Sequence, residues 1–93
     1  MKCVGLYYRN TDEQAAAMDL TKGDELILVA EPTNRFDSNA VKVLIAEGRV
    51  HIGYVPKEDA PFFKDLDPMP TGSFVEHIVL ESGTVHIDFD IVD

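Results

Sequence analysis

The chain has 93 residues, 45% of them apolar, a single cysteine and a formal net charge of −9. That length makes one domain, residues 1–93, whose modest core buries roughly 60–65% of the surface an unfolded chain exposes, and it leaves no room for a separate catalytic domain. One cysteine excludes an intrachain disulfide and a cysteine-rich zinc site, and no apolar stretch approaches the ~20 residues of a membrane-spanning helix.

Met1-Lys2-Cys3-Val4-Gly5 lacks the apolar core of a signal peptide, so a cytoplasmic protein is expected. The charge is unevenly placed. Residues 1–66 carry 8 basic and 11 acidic side chains, net −3, whereas residues 67–93 carry 6 acidic and none basic, net −6. An acidic total argues against loose attraction to nucleic acid, yet it allows a local basic site in the first two thirds of the chain.

In chain order, residues 2–9 (KCVGLYYR) read as a strand, with Cys3, Gly5 and Tyr7 on one face and Val4, Leu6 and Tyr8 on the other. Cys3 is expected as a small buried residue of that strand. Residues 11–19 read as a short helix: Thr11 and Gln14 have capping-box spacing, Asp12 and Glu13 suit the positive end of the helix dipole, and three alanines follow. A turn at Thr21-Lys22-Gly23-Asp24 leads to a strand over 25–31, whose nearly unbroken apolar run predicts cover on both faces. Residues 40–46 and 49–55 pair as antiparallel strands across Glu47-Gly48.

Pro56 ends that pair. Residues 57–66 read as a short helix, and Pro61, tolerable only in a first turn, places its start near Asp59. After a loop at 67–72, residues 73–81 and 84–92 form a hairpin across Ser82-Gly83. A two-residue loop sets Glu81 against Thr84, Val79 against His86 and His77 against Asp88, and turns Ile78, Leu80, Val85, Ile87 and Phe89 to the core. The fold class is mostly β: about six strands and two short helices in so few residues point to a curled, barrel-like antiparallel sheet.

One connection stands out. A hairpin turns in two to five residues, but Glu31-Pro32-Thr33-Asn34-Arg35-Phe36-Asp37-Ser38-Asn39 separates two apolar runs with a phenyl ring among polar groups. Turn chemistry accounts for Pro32 and Asn39, since proline presets φ and asparagine caps backbone N–H groups. Phe36 with Asp37 fits either a small satellite core or the wall of a binding groove.

The segment GDELILVAEPTNRFDSNAVKVLIAEGRVHIGYVPKEDA resembles the HIRAN domain. The matching parts are Glu31-Pro32, Asn34, Asp37, Asn39-Ala40, Val43, Ile52-Gly53-Tyr54-Val55-Pro56 and Ala60, with VGLYYR fitting the family's first strand. The clear match covers about residues 23–60. The resemblance implies a small OB-like or SH3-like β-barrel of the stand-alone bacterial or phage type. Separately, the residues show no nucleophile elbow, Gly-rich phosphate loop or tight metal-ligand motif, so no catalysis, cofactor or metal is expected. The resemblance further implies recognition of DNA, in a mode that captures the free 3′ end of a single strand. In that mode the first-strand aromatic falls on Tyr8, and Tyr7 stands where a basic residue sits. The loop aromatic falls on Phe36, the acid that takes the 3′-hydroxyl on Asp37, the amide on Asn34 and a phosphate-facing lysine on Lys57. Arg9 and Arg35 are the candidates to replace the charge that Tyr7 lacks.

Elementary chemistry makes sense of that set. Every base has a π-face, so stacking on Tyr8 or Phe36 needs no particular sequence. A carboxylate repels phosphate but accepts a hydrogen bond from a terminal hydroxyl, so Asp37 would favour ends over the interior of a strand. The bland readings stand beside it: Tyr8 as a barrel residue alternating with Leu6 and Val4, Lys57 as a solvated lysine. The second functional reading is a protein-interaction module of a DNA-processing complex, partnered by a nuclease or helicase, with the acidic C-terminal hairpin as its contact surface. His77, His86 and Asp88 share one face of that hairpin, but histidines on a polar sheet face are more often solvated than metal-bound.

Overall fold

The computed structural model describes residues 1–64, 73–81 and 84–91, with side chains for 1–63 and 87–89. Among the described residues six strands, β1 (Lys2–Cys3), β2 (Glu25–Ala30), β3 (Val41–Ile45), β4 (Val50–Tyr54), β5 (Ser73–Glu81) and β6 (Thr84–Ile91), and two helices, α1 (Thr11–Met18) and α2 (Ala60–Lys64), build the fold. The strands run antiparallel in the order β1-β6-β5-β2-β3-β4. The two outer strands of that order also approach each other. Val4 and Tyr54 exchange backbone hydrogen bonds at 2.8 Å in each direction, a single bridge just past the end of β1. The sheet is therefore curled and mostly β, and its edges meet at one point rather than along a ladder, which falls short of the expected closed barrel.

The core sits inside this curl. Leu26, Val41, Val43, Ile52, Ile87 and Phe89 are its largest fully sealed side chains, and Cys3 joins them. Burial pushes the Cys3 thiol up to about 12, so it stays protonated and unreactive. Ala17 of α1 and Ala60 and Phe63 of α2 close the cluster from outside. Gly53 is demanded by a close approach: a Cβ there would lie 2.6 Å from Cys3 Sγ and closer still to the Val4 carbonyl oxygen. Only glycine lets β4 pass this near the first strand.

Several local expectations change. The first strand does not run over 2–9: it ends at Cys3, and Leu6–Tyr8 wind into a 3-10 turn entered through Gly5 at φ 84°. Leu6 is buried and Tyr8 exposed, so the alternation that put them on one strand face does not hold. The cap of α1 is Asn10, not Thr11: Asn10 Oδ1 accepts from the Glu13 N–H at 2.8 Å, and Glu13 Oε1 accepts from the Asn10 N–H at 3.2 Å. Gln14, freed from capping, donates its amide to the carbonyls of Leu6, Tyr7 and Arg9 at 3.3, 3.0 and 3.0 Å.

β2 is not covered on both faces; Leu26 and Leu28 are buried while Ile27 and Val29 are half-buried. Its apolar run reflects strand propensity more than a second packed layer. The link from β3 to β4 is longer than Glu47-Gly48, a 3-10 turn over Glu47–Arg49 with φ 80° at Gly48 and 53° at Arg49. α2 begins at Ala60, close to the start near Asp59 that Pro61 implied, and Pro61 falls in its first turn. The last hairpin keeps its anticipated register, Glu81 with Thr84, Val79 with His86 and His77 with Asp88, before a shift between Val75 and His77. The loop at 67–72 lies outside the described residues.

Candidate functional site

An open groove of about 760 Å³ lies between the 3-10 turn, the β2–β3 loop and the end of β4. Tyr8 borders it from the turn, Asn34, Arg35, Phe36 and Asp37 from the loop, and Lys57 from just beyond β4. Six of the eight residues proposed from sequence thus share one cavity. Its floor holds two residues the sequence reading missed, Glu31 and Tyr54.

The loop is shaped from within. Its base closes where Glu31 N–H donates to the Ala40 carbonyl at 2.8 Å. Asn34 Oδ1 then accepts from the N–H groups of Phe36 and Asp37, both at 2.9 Å, and Asp37 Oδ1 accepts from Asn39 N–H at 2.9 Å. These side-chain turns supply the acceptors that a regular ladder would otherwise provide. Their effect is to leave Phe36 94% exposed, the opposite of a satellite core. Tyr8 across the groove is 86% exposed. Each ring gives up roughly 1.5–3 kcal/mol that burial would return.

Beneath the rings lies a polar network. Glu31 Oε1 accepts from Asn34 Nδ2 at 2.6 Å and from the Tyr54 hydroxyl at 3.0 Å, and Lys42 Nζ lies 3.6 Å from Oε2. The Asn34 amide above all, with Tyr54 and Lys42, holds the Glu31 carboxyl below its ordinary range, so it is ionised at neutral pH. Burial first, then Glu31, pushes the Tyr54 hydroxyl up, keeping it a neutral donor. Asn34 therefore organises the loop and ties it to the floor, and both lone pairs of its carbonyl are occupied.

Tyr54 reaches the groove through a bulge. Val43 pairs with Gly53 but Leu44 with His51, leaving Ile52 as an extra residue on β4. The extra residue reverses the alternation, so Ile52, Gly53 and Val55 are buried while Tyr54 lines the cavity. A glycine inside a strand was the available signal, since it marks a bulge or a close approach.

Two proposed residues lie elsewhere. Arg9 is engaged in the scaffold: Nη2 meets Glu13 Oε2 at 3.0 Å and Nε donates to the His51 carbonyl at 3.3 Å, which fastens the start of α1 to β4. Of the two candidates to replace the charge that Tyr7 lacks, Arg9 is thus tied to the scaffold while Arg35 lines the groove. Tyr7 is 73% exposed beside Tyr8, their centroids 5.5 Å apart and their rings at 90°, but it does not line the groove.

The groove is not basic. Among the described residues its charged lining is Arg35 and Lys57 against Glu31 and Asp37, which cancel. Asp37 keeps one carboxylate oxygen uncommitted to the Asn39 turn. The arrangement can stack flat rings between Tyr8 and Phe36, accept one hydrogen bond at Asp37 and meet anionic groups at Arg35 and Lys57. Among the described residues no group of three or more His, Cys, Asp or Glu could hold a metal ion, and the side chains of His77 and His86 lie outside the described set. Among those residues, too, no helix is long and apolar enough to cross a membrane.

The family model described as HIRAN domain matches residues 1–87, nearly the whole chain. No curated protein and no solved structure matches it significantly.

Proposed function

The chain belongs to the HIRAN domain family, whose members are nucleic-acid-binding modules and not catalytic by themselves, and from that premise we propose that its groove grips the free 3′ end of single-stranded DNA. Tyr8 and Phe36 stack on the last bases, Asp37 accepts from the 3′-hydroxyl, and Arg35 and Lys57 meet the nearest phosphates. Asn34 holds the loop in shape and Arg9 holds the turn. The observation that carries this reading is that Tyr8, the Phe36-Asp37 pair and Lys57, from three separate parts of the chain, border one cavity with both rings left exposed. An exposed aromatic pair at the mouth of a neutral groove suits base stacking, which contributes roughly 1–3 kcal/mol per base.

A role in DNA repair or replication-fork processing follows from that ligand, since free single-stranded 3′ ends arise there, and a nuclease or helicase is the matching partner. The protein-interaction alternative rests on an acidic hairpin whose side chains are, but for residues 87–89, outside the described set.

The test is fluorescence anisotropy with a labelled ten-nucleotide strand at low salt, ending in either a 3′-hydroxyl or a 3′-phosphate. The hydroxyl strand should bind at least tenfold more tightly. Asp37→Asn is the informative variant, because asparagine keeps the turn to Asn39 yet removes the charge, and it should narrow that gap. Equal binding of the two strands by the unaltered protein would overturn the proposal.

A further inference from the structure

Tyr7 is the residue the groove does not absorb. It is 73% exposed, next to Tyr8, and a tyrosine so placed forgoes most of the gain from burying its ring. Its backbone, by contrast, is held firmly. Tyr8 N–H donates to the Gly5 carbonyl and Arg9 N–H to the Leu6 carbonyl, both at 3.0 Å. Gln14 Nε2 donates to the carbonyl of Tyr7 itself at 3.0 Å, and Arg9 fastens the following helix to β4. The turn therefore presents two adjacent rings from a fixed backbone, with little ordering left to do on binding.

The electrostatics point the same way. The groove's described charges cancel and the whole chain carries −9, so net charge gives a strand in the groove no general attraction. A neutral ring is the contact such a surface can still offer, since base stacking does not depend on charge. The 90° angle between Tyr7 and Tyr8 means that a base on Tyr7 is not stacked on the base at Tyr8. A strand that reached both rings would turn between them, as the torsions of an unpaired strand permit.

We infer that Tyr7 is a further stacking platform outside the groove, taking a nucleotide upstream of the 3′ end and directing the strand away along the 3-10 turn. This inference rests on the end-binding reading of the groove and extends it from the terminal bases to the exit path.

The test is competition with unlabelled oligothymidylates of two, three, four and six residues, all with 3′-hydroxyl ends, against a labelled ten-mer at low salt. The unaltered protein should gain roughly fivefold or more in affinity at the length that first reaches Tyr7. Tyr7→Ala should bind the dinucleotide as the unaltered protein does and lose that gain. Tyr7→Phe, which keeps the ring, should restore it. Thermal melts alongside check that both variants fold. If Tyr7→Ala keeps the gain with length, the platform is refuted while the groove stands. If it weakens the dinucleotide as much as longer strands, Tyr7 merely props the ring of Tyr8 and the platform is again refuted. If the unaltered protein binds no strand of any length, the groove reading fails and the platform with it.

Discussion

Strand β3 has two ends, and the chain treats them differently. At one, the link to β4 is a 3-10 turn over Glu47–Arg49, closed by Gly48 and Arg49 at positive φ. At the other, ten residues from Glu31 to Ala40 connect β2 to β3, where a hairpin would need two to five. The short end meets its steric demand with backbone conformation. The long end is knit by three side-chain acceptor bonds and closed at its base, and it presents Phe36 to solvent. Only the long end contributes to the groove. Loop length beyond closure, organised internally rather than left slack, marks the end that borders the groove.

The largest expected effect tests what both ends depend on. In Gly53→Ala the new Cβ collides with Cys3 Sγ and with the Val4 carbonyl, a backbone group that cannot swing away. The bridge between Val4 and Tyr54 should be lost, with destabilisation of about 2–3 kcal/mol in urea unfolding. A change under about 0.5 kcal/mol would show that the two strands do not approach this closely.

The next pair sets the ends against each other at similar cost. Asn34→Ala leaves the Phe36 and Asp37 N–H groups without their acceptor, and Gly48→Ala forces alanine to φ 80°. Each should cost about 1 kcal/mol of stability. Asn34→Ala should also weaken binding of a single strand about tenfold, whereas Gly48→Ala should leave it unchanged. If both weaken binding alike, or neither does, the division of labour between the ends is wrong.

The smallest effect appears with pH. His51 on β4 has its imidazole held below the ordinary 6.5, chiefly by burial and then by Arg9, with Lys42 adding to this and Glu13 and the Gly53 carbonyl opposing it. Glu31 at the long loop is held below the ordinary 4.5, chiefly by Asn34. Both folded values are depressed, so both contributions are present at neutral pH and are lost on acidification. The His51 contribution declines as pH falls below about 6.5, and that of Glu31 below about 4.5. Glu13, held down by Arg9, shares the lower step. Urea unfolding across this range should show two declines, the upper flattened in His51→Gln and the lower reduced in Glu31→Gln. Stability independent of pH between 7 and 5 would contradict the half-buried setting of His51.

Much of the chain's plan was legible in sequence because it is local. Turn residues and apolar runs located the strands after residue 24, and the two-residue separation of the last hairpin determined its register. Phe36 and Asp37 were recognisable because a phenyl ring in a long polar loop conflicts with ordinary turn chemistry. Tyr8 came from the family resemblance and not from the local pattern, which set it on a strand where the structure has a 3-10 turn. Alternation cannot foresee Gly5 entering at positive φ, nor the Gln14 amide gathering three carbonyls.

What only the tertiary structure decided depends on groups far apart in the chain. Arg9 looks like a spare cation until Glu13 and the His51 carbonyl, the latter 42 residues away, occupy it. Tyr54 looks like an ordinary strand residue until the bulge at Ile52 turns it to the groove, where Glu31, 23 residues earlier, accepts its hydroxyl. The sequence by itself determined which residue types were present and where the strands and turns divide, because propensity and turn chemistry act over a few residues. Which side chains share a cavity, and which charges remain free within it, was decided by packing, because a partner contributed by another strand leaves no trace in local spacing.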